Sequence, residues 1–431
     1  MKQRIFLALF YSILFLFFLS NNNLAYAQET SLPSVTVINP IRGPLLGLEG
    51  RDLLHSLKGQ WQAVKKFDIP ATWLWQYSAL EEKPLVDFAK SEMKNQEFGI
   101  FLEIDKNSAD KAGVTYHSSG PWYFSDGLLL VSYEQFEREK LIDKSFNTFK
   151  KTFGYYPKTV GAWWVGAESI QYMQKKYGIT AVLQCADQFS TDKYSLWGTP
   201  WSIPYAPYKR NAAIPAPSLQ DSIPNVVVLQ WATRDPLMAY GDGVEDSIFS
   251  IQDKGEIQYI AYLKDIFLHK PLDHIAIGLE SGFSFEAYAG QYQKQMEALR
   301  IWEKEGSIVL QKASTYADAF NRQHIILPPT SYFLITGYKT KDQAFWYHSP
   351  AYRFAIQKKG EKIYVIDVRN YFETATEDFY TLPNTQPMIR INTKSVIDTV
   401  RFPHDKVLLA TSNKPLVVKE DNNEVFLFTD G

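Results

Sequence analysis

The 431-residue sequence has one cysteine, Cys185, and no long basic segment. A single cysteine cannot form an internal disulfide, and it excludes a metal site built from several thiolates. Lysine and arginine occur singly or in short runs, and the formal net charge is −2. The chain is therefore not predicted to bind nucleic acid.

Three sequence motifs for common chemistries are also missing. There is no His-x-x-x-His, no Gly-x-Ser-x-Gly after a strand and no glycine-rich phosphate loop. The first would predict a metal site, the second a serine nucleophile and the third a nucleotide site. We therefore predict no cofactor and no metal site, with a cation held by Asp and Glu oxygens as the alternative left open.

One long apolar run occurs, and it lies at the N-terminus. Residues 5–19 are almost entirely apolar, follow basic Met1-Lys2-Gln3-Arg4 and precede Ala25-Tyr26-Ala27. This order is typical of a secretory signal peptide over residues 1–27, which predicts export to the cell envelope or the extracellular space. A run of about fifteen residues is short for a membrane span. Contact with a membrane is expected only if the segment is retained as an anchor.

The remaining chain divides into two parts by pattern. In residues 34–322, short apolar runs alternate with amphipathic stretches, which predicts an α/β fold: an irregular seven-stranded β/α barrel. The predicted strands are 35–39, 71–75, 98–103, 160–164, 181–185, 226–231 and 275–280, and the helices are 52–66, 85–95, 132–152, 167–176, 256–268 and 287–305. Residues 197–224 show neither period and are predicted to form a loop over one end of the barrel. Residues 328–431 alternate with period two, which predicts a C-terminal β-sandwich-like domain.

Polar residues at the ends of the predicted strands are candidates for a site, because the carboxyl ends of parallel barrel strands converge on one mouth. The candidate catalytic carboxylates are Glu168, Asp187, Asp235 and Glu280. The candidate substrate-binding residues are Arg42, Glu103, Arg234, Trp164, Trp197, Trp201 and Tyr205. Each has a structural alternative: Glu168 equally fits a charge at a helix N-terminus, and Arg234 with Asp235 fits a local ion pair. Trp163 and Trp164 must point to opposite faces of a strand, so at most one faces the mouth.

Several segments, taken in order, resemble the glycoside hydrolase/deacetylase superfamily. They are Ile69-Pro70-Ala71-Thr72-Trp73, Glu97-Phe98-Gly99, Phe153-Gly154-Tyr155-Tyr156-Pro157, Lys176-Tyr177-Gly178-Ile179 and Ala313-Ser314-Thr315-Tyr316-Ala317. They are similar to segments that precede or open the strands of polysaccharide deacetylases. The resemblance covers roughly residues 34–320 and implies the same irregular seven-stranded barrel.

The chain departs from the superfamily where deacetylases bind their metal. Those enzymes place paired Asp after strand one and His-x-x-x-His after strand three. This chain has Asn39-Pro40-Ile41-Arg42 and Leu102-Glu103-Ile104-Asp105 instead. Without the Asp/His/His triad, the resemblance gives metal-activated water no evident source.

Family 57 glycoside hydrolases, in the same superfamily, use carboxylates without that triad. Their later motifs are loosely similar to Gly161-Ala162-Trp163-Trp164 with Glu168, to Arg234-Asp235 and to Gly278-Leu279-Glu280. We therefore expect an exported carbohydrate-active protein that hydrolyses a glycosidic bond of a poly- or oligosaccharide, a glycosidase in preference to a deacetylase. Two alternatives stay open: a polysaccharide deacetylase with a different metal-ligand set, and a catalytically inactive protein that binds glycan or the cell envelope.

Overall fold

The computed structural model of the protein describes residues 32–44, 50–185, 188–191, 194–200, 203–230, 274–282, 284–323, 331–337, 340–372, 376–421 and 424–429. Four candidate site residues, Asp187, Trp201, Arg234 and Asp235, lie outside these ranges. The predicted signal peptide over 1–27 and the predicted helix over 256–268 lie outside them as well.

Seven parallel strands of one sheet form a nearly closed barrel. In chain order, the strands up to residue 310 are β1 (Ser34–Ile41), β2 (Ala71–Gln76), β3 (Glu97–Phe101), β4 (Thr159–Gly161), β5 (Ala181–Gln184), β6 (Gln188–Thr191), β7 (Tyr194–Trp197), β8 (Pro207–Tyr208), β9 (Asn211–Pro215), β10 (Val227–Gln230), β11 (His274–Ile277) and β12 (Val309–Leu310). The order across the barrel sheet is β10-β5-β4-β3-β2-β1-β11, and short β12 also pairs with β1. The predicted α/β barrel is confirmed, with all seven predicted strands present and their ends shifted by one to three residues.

Helices connect the barrel strands, as the amphipathic periodicity predicts. They are α1 (Leu53–Lys66), α2 (Tyr77–Glu81), α3 (Lys83–Glu92), α4 (Lys106–Ala112), α5 (Ser125–Leu128), α6 (Gln135–Phe153), α7 (Ala167–Tyr177), α8 (Phe285–Lys304) and α9 (Ala313–Gln323). In α1, Leu57, Trp61 and Val64 are buried at helical spacing, and the helix carries two lysines in its last turn. Gly178 follows the last residue of α7 and caps the helix, and its φ of 69° is a left-handed conformation that favours glycine. No helix among the described residues is both long enough and apolar enough to cross a bilayer.

The prediction of a plain loop over residues 197–224 was wrong. This segment contains the β8–β9 hairpin, and β7 pairs in parallel with a strand of the C-terminal region. Pairing across about 190 residues of chain produces no local sequence period, so the pattern could not reveal it.

The C-terminal region consists of β-strands, as predicted, and most of them pair in antiparallel fashion. They are β13 (Ser331–Thr336), β14 (Gln343–His348), β15 (Tyr352–Lys359), β16 (Lys362–Asn370), β17 (Ile389–Asn392), β18 (Ser395–Asp398), β19 (Val407–Thr411), β20 (Leu416–Asp421) and β21 (Glu424–Thr429). The main sheet has the order β13-β14-β15-β16-β18, and β19 also pairs with β16. Strand β17 is not part of this sheet and pairs with β7. Strands β20 and β21 form a separate two-stranded ribbon.

A buried charge network joins the C-terminal sheet to the segment that follows β7. Arg353 donates to both carboxylate oxygens of Asp367 at 3.0 and 2.9 Å, and also to the carbonyl of Thr199 at 2.8 Å. Arg369 donates to Asp367 at 3.0 Å and to Asp398 at 2.7 Å. The two arginines and Asp398 have no solvent exposure, and each makes more than one polar contact. Buried charges are tolerated only when paired in this way, so the network fixes how the two regions pack.

Candidate functional site

Arg42 lies at the mouth of the barrel between two glutamates. Its Nε donates to Glu103 Oε2 at 2.7 Å, its Nη2 forms a second short bond to Glu103 Oε1, and its Nη1 forms a short ion pair with Glu280. The side chains are 4%, 0% and 6% exposed, respectively. We call these three residues the mouth trio. The planar guanidinium has N–H donors along more than one edge, so it can bind two carboxylates at the same time.

The barrel topology explains how residues distant in sequence come together here. Arg42 follows β1, Glu103 lies two residues beyond β3, and Glu280 lies three residues beyond β11. Strand β1 is the hydrogen-bonded neighbour of β11 and is separated from β3 only by β2. Arg42 therefore reaches one carboxylate on the adjacent strand end and one across β2, as predicted for carboxyl ends that converge.

Two tryptophans contact the trio, and neither was among the predicted site residues. Trp163, 3% exposed, donates from Nε1 to Glu103 Oε1 at 2.7 Å. The Arg42 guanidinium carbon lies 5.8 Å from the Trp163 ring and 5.1 Å from the ring of half-buried Trp122. Both distances fall within the range of cation–π attraction. The alternation of side chains after β4 allowed at most one of Trp163 and Trp164 to face the mouth, and it did not say which one.

Trp164 is fully buried. Trp197 is fully buried, donates to Asp398 at 3.1 Å and lies between Arg353 and Arg369 at 5.8 and 5.6 Å. Tyr205 is 1% exposed and donates to the carbonyl of Ala212 at 2.7 Å. Their predicted roles in substrate binding stay predictions. Each ring would have to become exposed to stack on a sugar.

Glu168 belongs to a different cluster. It lies in the first turn of α7, 3.8 Å from Arg138 of α6, and burial raises its pKa while Arg138 opposes that shift. Arg138 donates its other hydrogens to the carbonyls of Tyr133, Val131 and Phe379. This position agrees with the alternative interpretation of Glu168 as a helix N-terminal charge. Its catalytic role stays a prediction.

Glu377 of the C-terminal region completes this second cluster. Its two carboxylate oxygens accept from the backbone N–H groups of Ala167 at 2.6 Å and Ala212 at 2.7 Å. Burial raises the pKa of Glu377 to about 8, against the opposing effects of those two donors and Arg138. A carboxylate from another part of the chain thus caps α7. No local sequence pattern could have identified this contact.

The residues at the positions where the resembled deacetylases bind their metal make other contacts in this chain. Asn39 uses its Oδ1 to accept from Leu279 N and from the Tyr292 hydroxyl, both at 3.0 Å. The strand-three position carries Glu103, whose carboxylate holds the Arg42 guanidinium. Asp105 caps α4 through Ser108 and bonds Ser78. Within the described residues no group of three or more His, Cys, Asp or Glu side chains is placed to hold a metal ion.

A family model described as a domain of unknown function with a solved structure (DUF3863) matches residues 114–265, a span that includes Trp122, Trp163 and Glu168. No curated protein matches the chain.

Comparison with solved structures identifies the fold. A candidate glycoside hydrolase/deacetylase from Parabacteroides distasonis aligns with a TM-score of 0.66 at 16% identity, covering 86% of this chain and 93% of that one. A candidate polysaccharide deacetylase from Mycobacterium smegmatis aligns over 69% of this chain and 92% of its own, with a TM-score of 0.42 and 12% identity. The alignment with the first of these structures confirms the fold predicted from sequence, a β/α barrel followed by β-sheets.

Proposed function

We propose that this protein is an exported carbohydrate-active protein that binds a poly- or oligosaccharide at the barrel mouth and hydrolyses a glycosidic bond there. The single observation that carries the proposal is the mouth trio: two buried carboxylates held by one guanidinium, with tryptophan rings beside it. Paired carboxylates are the working groups of most glycosidases. By analogy of fold alone, the barrel shared with a candidate glycoside hydrolase/deacetylase points to the same class of substrate.

The geometry of the trio suggests how its members would divide the work. Both carboxylates touch the same planar guanidinium, which brings them near each other, and glycosidases use a pair of neighbouring carboxyl groups. Glu280 and Glu103 would therefore act as nucleophile, base or stabiliser of the positive charge that develops on the sugar.

Hydrolysis of a glycosidic bond also requires a group that donates a proton to the leaving oxygen. The predicted carboxylates Asp187 and Asp235 are candidates for this role from sequence. Arg42 would orient both glutamates and compensate their charge before substrate arrives. Export through the predicted signal peptide is part of the same proposal, since it would place the site where envelope or environmental polysaccharides are found.

A second candidate function is favoured by how completely the trio is engaged. Each carboxylate contacts Arg42, and Glu103 also accepts from Trp163. A catalytic carboxylate needs a contact that substrate can replace. A protein that binds glycan without turnover would need only the two tryptophan rings and the charges of the mouth trio. A catalytically inactive glycan-binding protein is therefore the second candidate.

The test is an activity screen with matched variants. The purified mature chain would be incubated with a panel of polysaccharides, and reducing ends and released acetate would be measured. We expect reducing ends, with a loss of at least about 100-fold in Glu280→Gln and Glu103→Gln, the range typical of a missing acid–base or charge-stabilising group. Glu168→Gln is the comparison, because this carboxylate lies in the Arg138 cluster.

Each outcome separates the candidates. Activity that disappears only in Glu168→Gln would move catalysis away from the trio. Acetate without reducing ends would support the deacetylase alternative. Glycan binding without either product, unchanged in all three variants, would support the binding protein.

A further inference from the structure

Trp122 lies in a short aromatic loop that follows α4 and contacts Arg42 of the mouth trio through the Trp122 ring. Residues 120–124 read Gly-Pro-Trp-Tyr-Phe, and the three rings are each half-buried. The Trp122 and Tyr123 rings meet edge-on with centroids 5.8 Å apart, and the Tyr123 and Phe124 rings meet at 5.5 Å. We call residues 120–124 the aromatic loop. Nothing in its sequence period marks it as part of the barrel.

Contacts at both ends hold the aromatic loop in place. Asp126, 4% exposed, accepts from Ser119 N at 3.1 Å just before the loop. Gly120 packs so closely on Phe124 that an added Cβ would lie 2.4 Å from that ring. Ser125 N donates to the carbonyl of Pro387 in the C-terminal region at 3.1 Å. The position of Trp122 is therefore set by the barrel and the C-terminal region together.

Burial distinguishes the two tryptophans that contact Arg42. Trp163 is 3% exposed and has its indole N–H committed to Glu103. Trp122 is half-buried, and its ring lies 5.1 Å from the guanidinium carbon of Arg42. Trp163 is thus almost fully enclosed, whereas Trp122 is partly exposed to solvent next to Arg42 of the mouth trio.

We propose that Trp122 is the platform on which a pyranose ring of the glycan stacks, placing that ring beside Glu103 and Glu280. The axial C–H groups of a pyranose form an apolar face, and an indole ring offers a flat surface of matching size. The hydroxyl groups at the edge of the sugar would then point toward the carboxylates, which accept hydrogen bonds. Trp122 acts as a positioning residue that selects sugars with an unobstructed C–H face. This inference rests on the proposed function and deepens it.

Binding is measured by calorimetry with three probes: chitotetraose, cellotetraose and maltotetraose. We expect Trp122→Ala to weaken the affinity for the best probe about tenfold or more, which corresponds to about 1.4 kcal/mol. Trp122→Phe keeps an aromatic face and should restore most of the affinity. Trp302→Phe, which changes a half-buried tryptophan on α8, is the matched control and should leave affinity unchanged. Thermal unfolding of every variant shows whether the loss reflects folding.

The outcomes keep the inference separate from the proposed function. If the unaltered protein binds none of the three probes and no polysaccharide in the activity screen, the proposed function fails and the inference falls with it. If the protein binds a probe and Trp122→Ala binds it equally well, the inference alone is overturned. A loss in Trp122→Ala that Trp122→Phe does not recover, accompanied by a lower unfolding temperature, would also overturn it, because the ring would then be structural.

Discussion

Removing the guanidinium from the mouth trio should destabilise the protein in a strongly pH-dependent way. In Arg42→Met, two carboxylates that are 0% and 6% exposed lose their cation. Burial and mutual repulsion then favour their protonated forms. Protonating a glutamate of ordinary pKa 4.3 at pH 7 costs about 4 kcal/mol, and at pH 5 about 1 kcal/mol.

The expected loss of unfolding free energy is therefore about 4 kcal/mol at pH 7 if one carboxylate protonates, and up to about 7 kcal/mol if both do. The loss should shrink to about 1–2 kcal/mol at pH 5. The sign follows from linkage: a carboxyl whose folded pKa is raised contributes stability at low pH that is lost as the pH rises through the folded value.

Urea denaturation of the unaltered and variant proteins at pH 5, 6 and 7 measures this difference. The triple variant Arg42→Met/Glu103→Gln/Glu280→Gln is the control, because it removes the charges and should recover most of the stability at pH 7. A difference below about 1 kcal/mol at pH 7, or one that does not depend on pH, would show that the trio is not a buried ion cluster.

Two further predictions concern the contacts between the barrel and the C-terminal region. Burial raises the pKa of Glu377 to about 8, so its contribution to stability should be full below about pH 4.5 and be lost as the pH rises through about 8. Thermal unfolding measured at stepped pH values should show this decrease in stability. The variant Glu377→Gln should show a flatter dependence of stability on pH. An unchanged slope in Glu377→Gln would assign the pH dependence to other groups. Trp197→Phe removes the donor to Asp398 and should cost about 1–3 kcal/mol of unfolding free energy without changing glycan affinity. A loss of affinity with unchanged stability would instead favour the sequence-based role of Trp197 in stacking on substrate.

The sequence predicted the barrel well because each of its strands has a recognisable local sequence pattern. Strands β1, β2 and β5 are short apolar runs with every residue buried, and amphipathic helices such as α1 separate them. Local period and burial therefore carry the same information. The predicted strand ends ran past the observed ones at β3 and β4, where apolar residues and single backbone hydrogen bonds, such as that from Leu102 N to the carbonyl of Gly161, continue beyond the end of the strand.

The candidate site was predictable only in part. Arg42, Glu103 and Glu280 follow strand ends, and the convergence of those ends made them candidates. Their direct pairing depends on strand order across the sheet, which the sequence does not state. Trp122 follows no strand at all, and only a composition signal, three consecutive aromatic residues after Gly-Pro, marks its loop.

The roles that the sequence could not predict depend on contacts between distant segments of the chain. Glu377 caps a helix more than 200 residues away, and Trp197 is enclosed by arginines from β15 and β16. In both cases the residue type alone fits several roles. A tryptophan in a proline-rich segment suggests a sugar platform equally well as a core residue, and only the tertiary contacts distinguish them.

The most direct test of the central claim is a crystal structure of Glu280→Gln bound to the oligosaccharide that binds best in the calorimetry panel. The account predicts a pyranose ring stacked on Trp122, with hydroxyl groups in hydrogen-bond contact with Glu103 and residue 280. A sugar bound next to Arg138 and Glu168, or anywhere away from the mouth trio, would contradict it.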